Sequence, residues 1–124
     1  PGGASGGIFP AKMYDMGLDF GVFEPFGGFV GSHAVVILSD QDSILDAVIN
    51  TIKFFKHESC GQCTPCRNGT EKLISLLSKS NKEVELYEDL MMVMRDSSIC
   101  GLGQAATNCL NHLLKYFPEE LNGT

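Results

Sequence analysis

Three cysteines at intervals of three, in Cys60-Gly61-Gln62-Cys63-Thr64-Pro65-Cys66-Arg67, are the residues of this chain best suited to chemistry. Thiolates are soft ligands that favour zinc, copper(I) or iron–sulfur clusters. Structural zinc usually takes two separated Cys-x2-Cys pairs, or Cys and His mixtures. Cys-x2-Cys-x2-Cys is instead the spacing of 4Fe–4S ligation, with a fourth cysteine needed elsewhere. Bacterial ferredoxins place a cysteine four residues on, where this chain has Thr70, so that pattern is not the one present. The next cysteine is Cys100, in Ser98-Ile99-Cys100-Gly101-Leu102-Gly103, and it is the expected fourth ligand. The fifth, Cys109, falls on an apolar helical stripe and is expected to pack in the core. Two other uses of the cysteines stay open at this point. One is a four-cysteine zinc module for docking, and the other is thiol–disulfide exchange through Cys60 and Cys63, which lacks its usual βαβ setting.

Helices must hold these residues. From residue 42 the apolar spacing becomes helical, with Asp42 or Ser43 as cap and Ile44, Val48, Ile52 and Phe55 on one stripe beside Leu45 and Ile49. Asp46, Asn50, Lys53 and His57 form the wet face, so His57 is expected to be solvated, although it lies close to Cys60. Thr64 followed by Pro65 predicts a helix start with a hydroxyl cap and proline at the first helical position; Thr70, Leu73, Ile74 and Leu77 line its inner side. Ser78-Lys79-Ser80-Asn81 is expected as a loop. A third helix over about 84–96 carries Leu86, Leu90, Val93 and Met94 inward, with Met91, Met92 and Met94 as core filler. A fourth, over about 103–116, carries Ala106, Cys109, Leu110, Leu113 and Phe117, and Pro118 ends it. The architecture expected is mainly α: a four-helix bundle over 42–124. In an up-down-up-down bundle the starts of helices two and four share one end, which brings Cys60, Cys63 and Cys66 toward Cys100. Two positive helix ends and Arg67 would then face an anionic centre.

Before the bundle, residues 1–41 hold nine of the fourteen glycines. Gly2-Gly3-Ala4-Ser5-Gly6-Gly7 lacks both P-loop and Gly-x-Gly-x-x-Gly spacing, so a turning segment is expected there rather than a phosphate cradle. His33-Ala34-Val35-Val36-Ile37-Leu38 is short and β-branched, and predicts a buried strand with His33 at its mouth.

With 124 residues, one domain or one domain with an appendage is expected. The first residue is Pro1 rather than methionine, which predicts a segment of a longer chain. A net charge of −6 argues against nucleic acid as a partner. No apolar run approaches the length of a membrane span, so no direct membrane insertion is expected. Five cysteines grouped as three, one and one do not form a secreted disulfide framework; a reducing compartment is expected, cytoplasmic or on the matrix side of an organelle.

The two cysteine stretches, Lys56-His57-Glu58-Ser59-Cys60-Gly61-Gln62-Cys63-Thr64-Pro65-Cys66-Arg67 and Ser98-Ile99-Cys100-Gly101-Leu102-Gly103-Gln104, resemble the iron–sulfur end of a family of NADH-oxidising flavoprotein subunits. The family includes the NADH-binding subunit of respiratory complex I and the diaphorase-type subunits of NAD-linked hydrogenases and formate dehydrogenases. The glycine-rich start and Met94-Arg95-Asp96-Ser97-Ser98-Ile99-Cys100 look closer to the hydrogenase and formate dehydrogenase branch. The resemblance implies a 4Fe–4S cluster on Cys60, Cys63, Cys66 and Cys100, supported by Gly61, Thr64, Pro65, Arg67 and Gly101. It also implies that residues 1–41 are part of a β-grasp, soluble-ligand-binding type domain. In the family the cluster takes electrons one at a time from FMN after NADH oxidation, and passes them to other redox subunits. The FMN and NADH domain is not among these residues, and neither is the first half of the β-grasp. NAD and FMN would act only through that domain, and this piece alone is expected to be inactive.

Overall fold

The computed structural model describes residues 1–80 and 82–122. Five α-helices follow one another: α1 (Ile44–Glu58), α2 (Thr64–Leu77), α3 (Val84–Ser97), α4 (Gly101–Ala105) and α5 (Asn108–Tyr116). Ser43 starts α1, its hydroxyl accepting the Asp46 amide at 3.1 Å, as a serine N-cap should. Val48, Ile52 and Phe55 then fall on the buried side of α1. They meet Leu73, Leu76 and Leu77 of α2 and Leu110 and Leu113 of α5 in one core. α2 and α3 run antiparallel. The Tyr87 hydroxyl near the start of α3 donates to the Leu76 carbonyl near the end of α2, while Gly69 near the start of α2 lies under Met94 near the end of α3. Pro118 closes α5 as expected, and a 3-10 turn, Pro118–Leu121, returns Leu121 to the core.

Several expectations are corrected. The inner face of α3 is Tyr87, Met91 and Met94; Val93 is 44% exposed and Met92 49%, so neither is core. Tyr87 fills the space opposite α2 and satisfies its hydroxyl on Leu76, which turns the helix away from a stripe centred on Val93. The fourth helix is two helices. Thr107 leaves helical geometry at φ −102° and ψ 6° and becomes the N-cap of α5, consistent with the weak helix preference of a β-branched residue. At the start of α2 the N-cap is Cys63, extended at φ −100° and ψ 144°, with Thr64 first and Pro65 second in the helix. The Thr64 hydroxyl is turned to Arg67 instead of capping. Ser78, Lys79 and Ser80 form the expected turn, whereas Asn81 lies outside the described residues.

The largest departure is residues 33–38. No β-strand occurs among the described residues, and Val35, Val36 and Ile37 are 58%, 83% and 89% exposed. A strand needs a ladder, and among the described residues this run makes a single backbone–backbone hydrogen bond, from the Gly2 amide to the Ala34 carbonyl at 2.8 Å. β-Branched composition favours extended backbone, but it cannot supply a neighbouring strand. His33 takes a left-handed φ of 62°, a turn residue rather than a strand end.

Residues before 31 are tied to α5 instead. His112 is fully buried; its Nδ1 accepts the Ile8 amide at 3.0 Å and its Nε2–H donates to the Phe26 carbonyl at 2.8 Å. Asn108 donates to the Ser5 carbonyl at 2.9 Å. Gly7, at φ 97°, crosses so close to the imidazole that a Cβ there would overlap the ring.

Candidate metal centre

The claw is a loop between two helices whose shape comes from local hydrogen bonds. Ser59, extended after α1, accepts the Gly61 amide on its hydroxyl at 3.2 Å. Gly61 turns the chain at φ 73°, a conformation that glycine adopts without a Cβ penalty. Arg67 folds back from the first turn of α2 and donates to the Gly61 carbonyl at 2.5 Å and to Thr64 Oγ1 at 3.4 Å. The four cysteines are free thiols: Cys60 and Cys100 are exposed, Cys63 half-buried and Cys66 buried.

The Cys100 loop adjoins this claw. The polar backbone at Ile99, one residue before Cys100, and then that at Cys66 hold the Cys63 thiol below its usual pKa. Burial opposes these two, and the Cys63 backbone and the Arg67 charge add smaller effects in the lowering direction. A cysteine at a helix start beside a guanidinium is where a thiolate is favoured. From the other side, Gly103 of α4 presses on Cys66: a Cβ there would stand 3.0 Å from Cys66 Cβ and overlap Ser98 Oγ. Ser98 Oγ is buried with no protein partner. Gln104 secures the loop by donating to the Ser98 carbonyl at 3.1 Å.

Loops, amides and charge thus fit an anionic, thiolate-held group between the starts of α2 and α4. Among the described residues, no three or more Cys, His, Asp or Glu side chains gather closely enough to hold a single metal ion. A cluster places each thiolate on a separate iron, and the feature its ligation needs is the adjacency of the two loops. α4 spans only five residues, so the second of the two expected helix ends is a short one. His57 points to solvent and pairs with Glu58 at 3.0 Å, away from the thiols. Cys109 is in the core, where it donates to the Ala4 carbonyl at 3.4 Å and burial pushes its thiol up to about 11. Two serines at this site, Ser59 and Ser98, have no role in the sequence reading. A serine two residues before a glycine is the local signal for the Ser59 turn, while the packing of Ser98 on Gly103 has no local signal.

Helical iron–sulfur binding regions are the class to which this fold and these loops belong. Residues 46–124 match the family described as the NADH-ubiquinone oxidoreductase-F iron-sulfur binding region, and the chain belongs to that family. Its short name joins NADH to 4Fe–4S, so the cofactor named for it is the one that the cysteine spacing leads one to expect. An F-type chain of the NADH-quinone oxidoreductase of Rhizobium meliloti (strain 1021) is 33% identical, over 98% of this chain and 30% of that protein. Its counterpart in the NADH-quinone oxidoreductase of Aquifex aeolicus (strain VF5) is also 33% identical, over 90% of this chain and 27% of its own. The chain therefore spans about 30% of the length of the curated relatives it matches. Among solved structures, the NAD+-reducing [NiFe]-hydrogenase in its H2-reduced state superposes with a TM-score of 0.84 at 28% identity, over 98% of this chain and 22% of that one. No helix among the described residues is long and apolar enough to cross a membrane.

Proposed function

We propose that this chain binds one 4Fe–4S cluster through Cys60, Cys63, Cys66 and Cys100 and serves as an electron-transfer region. It would accept electrons from FMN after NADH oxidation, or pass them toward NAD+, within an NADH dehydrogenase, formate dehydrogenase or hydrogenase complex. The observation that supports the ligand set is the close approach of Gly103, three residues after Cys100, to Cys66, where an added Cβ would stand 3.0 Å from Cys66 Cβ. When bound, the cluster supplies one-electron transfer, the step that must follow a two-electron hydride oxidation. The chain's own residues hold and polarise it. Gly61 bends the claw, Thr64 and Pro65 begin α2 behind it, Arg67 brings a positive charge to it, and Gly101 starts α4 directly after Cys100.

Residues 42–124 form the cluster-binding bundle in this reading, and 1–41 a partial β-grasp segment. Ala34–Leu38 is exposed and outside any helix, and would become a strand on pairing with others of that sheet. The partners are other redox subunits, and the compartment is a reducing one, cytoplasmic or matrix-side, where thiols persist.

Anaerobic reconstitution followed by iron, sulfide and zinc analysis and a visible spectrum tests the proposal. About four irons and four sulfides per chain are expected, the stoichiometry of a 4Fe–4S centre, with a brown colour that bleaches on reduction. A colourless chain holding one zinc would overturn it.

A further inference from the structure

We infer that the Ser59 hydroxyl is a hydrogen-bond donor to the Cys66 sulfur and raises the reduction potential of the cluster that Cys66 holds. The inference rests on the proposed ligation by Cys66. Ser59 Oγ lies 3.2 Å from Cys66 Sγ. Between a hydroxyl and a free thiol either atom can donate. A metal-bound thiolate can only accept, so ligation fixes the direction and makes Ser59 the donor. The oxygen of Ser59 already accepts the Gly61 amide at 3.2 Å, which orients the hydroxyl and leaves its hydrogen for sulfur.

Cys66 is the ligand at which such a bond counts most. It is only 5% exposed, whereas Cys60 and Cys100 face solvent. With little water to screen it, a dipole beside a buried sulfur acts at a lower local dielectric. Reduction adds negative charge that is shared with the ligand sulfurs. A donor on sulfur therefore stabilises the reduced state more than the oxidised one, and the potential rises. Among the described residues, Ser59 makes the one side-chain hydrogen bond to the sulfur of any of the four claw and loop cysteines. It sits at the C-cap of α1, so the first helix of the bundle holds the donor while the start of α2 holds the acceptor.

The test uses the full chain reconstituted with iron and sulfide, as wild type, Ser59→Ala and Ser59→Thr. Three quantities are read: bound iron, the midpoint in an EPR-monitored redox titration, and the solvent-exchangeable proton coupling of the reduced cluster. Ser59→Ala is expected to keep the wild-type iron, to shift the midpoint to a lower potential and to lose one exchangeable coupling. Ser59→Thr restores the hydroxyl and is expected to restore both. A loaded Ser59→Ala chain with an unshifted midpoint overturns the inference alone. So does a Ser59→Ala chain that loses iron while Ser59→Thr keeps it with a displaced potential, since Ser59 would then serve only the Gly61 turn. A wild-type chain that takes up no iron and sulfide overturns the ligation and this inference with it.

Discussion

Cys66, in the first turn of α2, and Gly103, in α4, lie so close that a single methyl group at 103 would stand 3.0 Å from Cys66 Cβ. Ser98 closes the same gap from the loop before α4, its Oγ overlapping that methyl position. Gly103→Ala must therefore push the Cys100 loop away from the claw. Overpacking of this kind costs about 1–3 kcal/mol. Denaturant titration of the variant should show a lower midpoint with an unchanged slope, and reconstitution should give less bound iron; wild-type values for both would show that the loops are not held together here.

His112 ties the glycine-rich segment to the bundle in its neutral form. Burial holds its pKa below the ordinary value of 6.5, helped by the charges of Lys115 and the N-terminus and opposed by the Phe26 carbonyl. The sign follows directly: the unfolded chain takes up the proton first as pH falls. The contribution of His112 is full above about 6.5 and is lost as pH drops through the lower folded value. Thermal midpoints of wild type and His112→Gln at pH 7.5 and 5 should therefore differ more at pH 7.5. The substitution leaves the Ile8 amide and Phe26 carbonyl poorly paired, a loss of about 1–3 kcal/mol at neutral pH. An equal gap at both pH values would contradict the assignment.

Much of this fold is readable in the sequence where the information is local. The stripe Val48–Ile52–Phe55, the Ser43 cap and the stop at Pro118 depend on spacing and on one side chain each, and all are where the sequence puts them. The claw is readable for the same reason. What the sequence hides is contact between distant segments. Tyr87 displaces Val93 from the inner face because its ring and hydroxyl fit against Leu76, a fact of α2 and not of α3. The β-branched run 34–38 carries strand propensity but no partner within the described residues. His112 meets Ile8 across 104 residues, and no periodicity announces that bond. Within the site, the proximity of Ile99 to Cys63 follows from bundle topology, whereas the two serines emerge only from the folded arrangement.

A centre that joins the start of α2 to the loop before α4 is absent from the unfolded chain, so its binding energy adds to folding. Melting of the reconstituted and iron-free chains under anaerobic conditions should give a higher midpoint for the loaded form. The gap should shrink in Cys100→Ser, where one anchor is gone. Coincident midpoints for loaded and iron-free wild type would contradict a centre that bridges these elements.

The ligand set itself is tested most directly by counting iron in two single variants. Cys100 stands exposed three residues before Gly103, which packs on Cys66, while Cys109 is buried against Ala4 with its thiol pushed up to about 11. Cys100→Ser is expected to lose most of its bound iron or to hold a damaged cluster. Cys109→Ser is expected to keep the full wild-type count and lose only modest stability, about 1–2 kcal/mol for a polar swap in the core. Iron that survives Cys100→Ser and disappears in Cys109→Ser would contradict the four-cysteine centre proposed here.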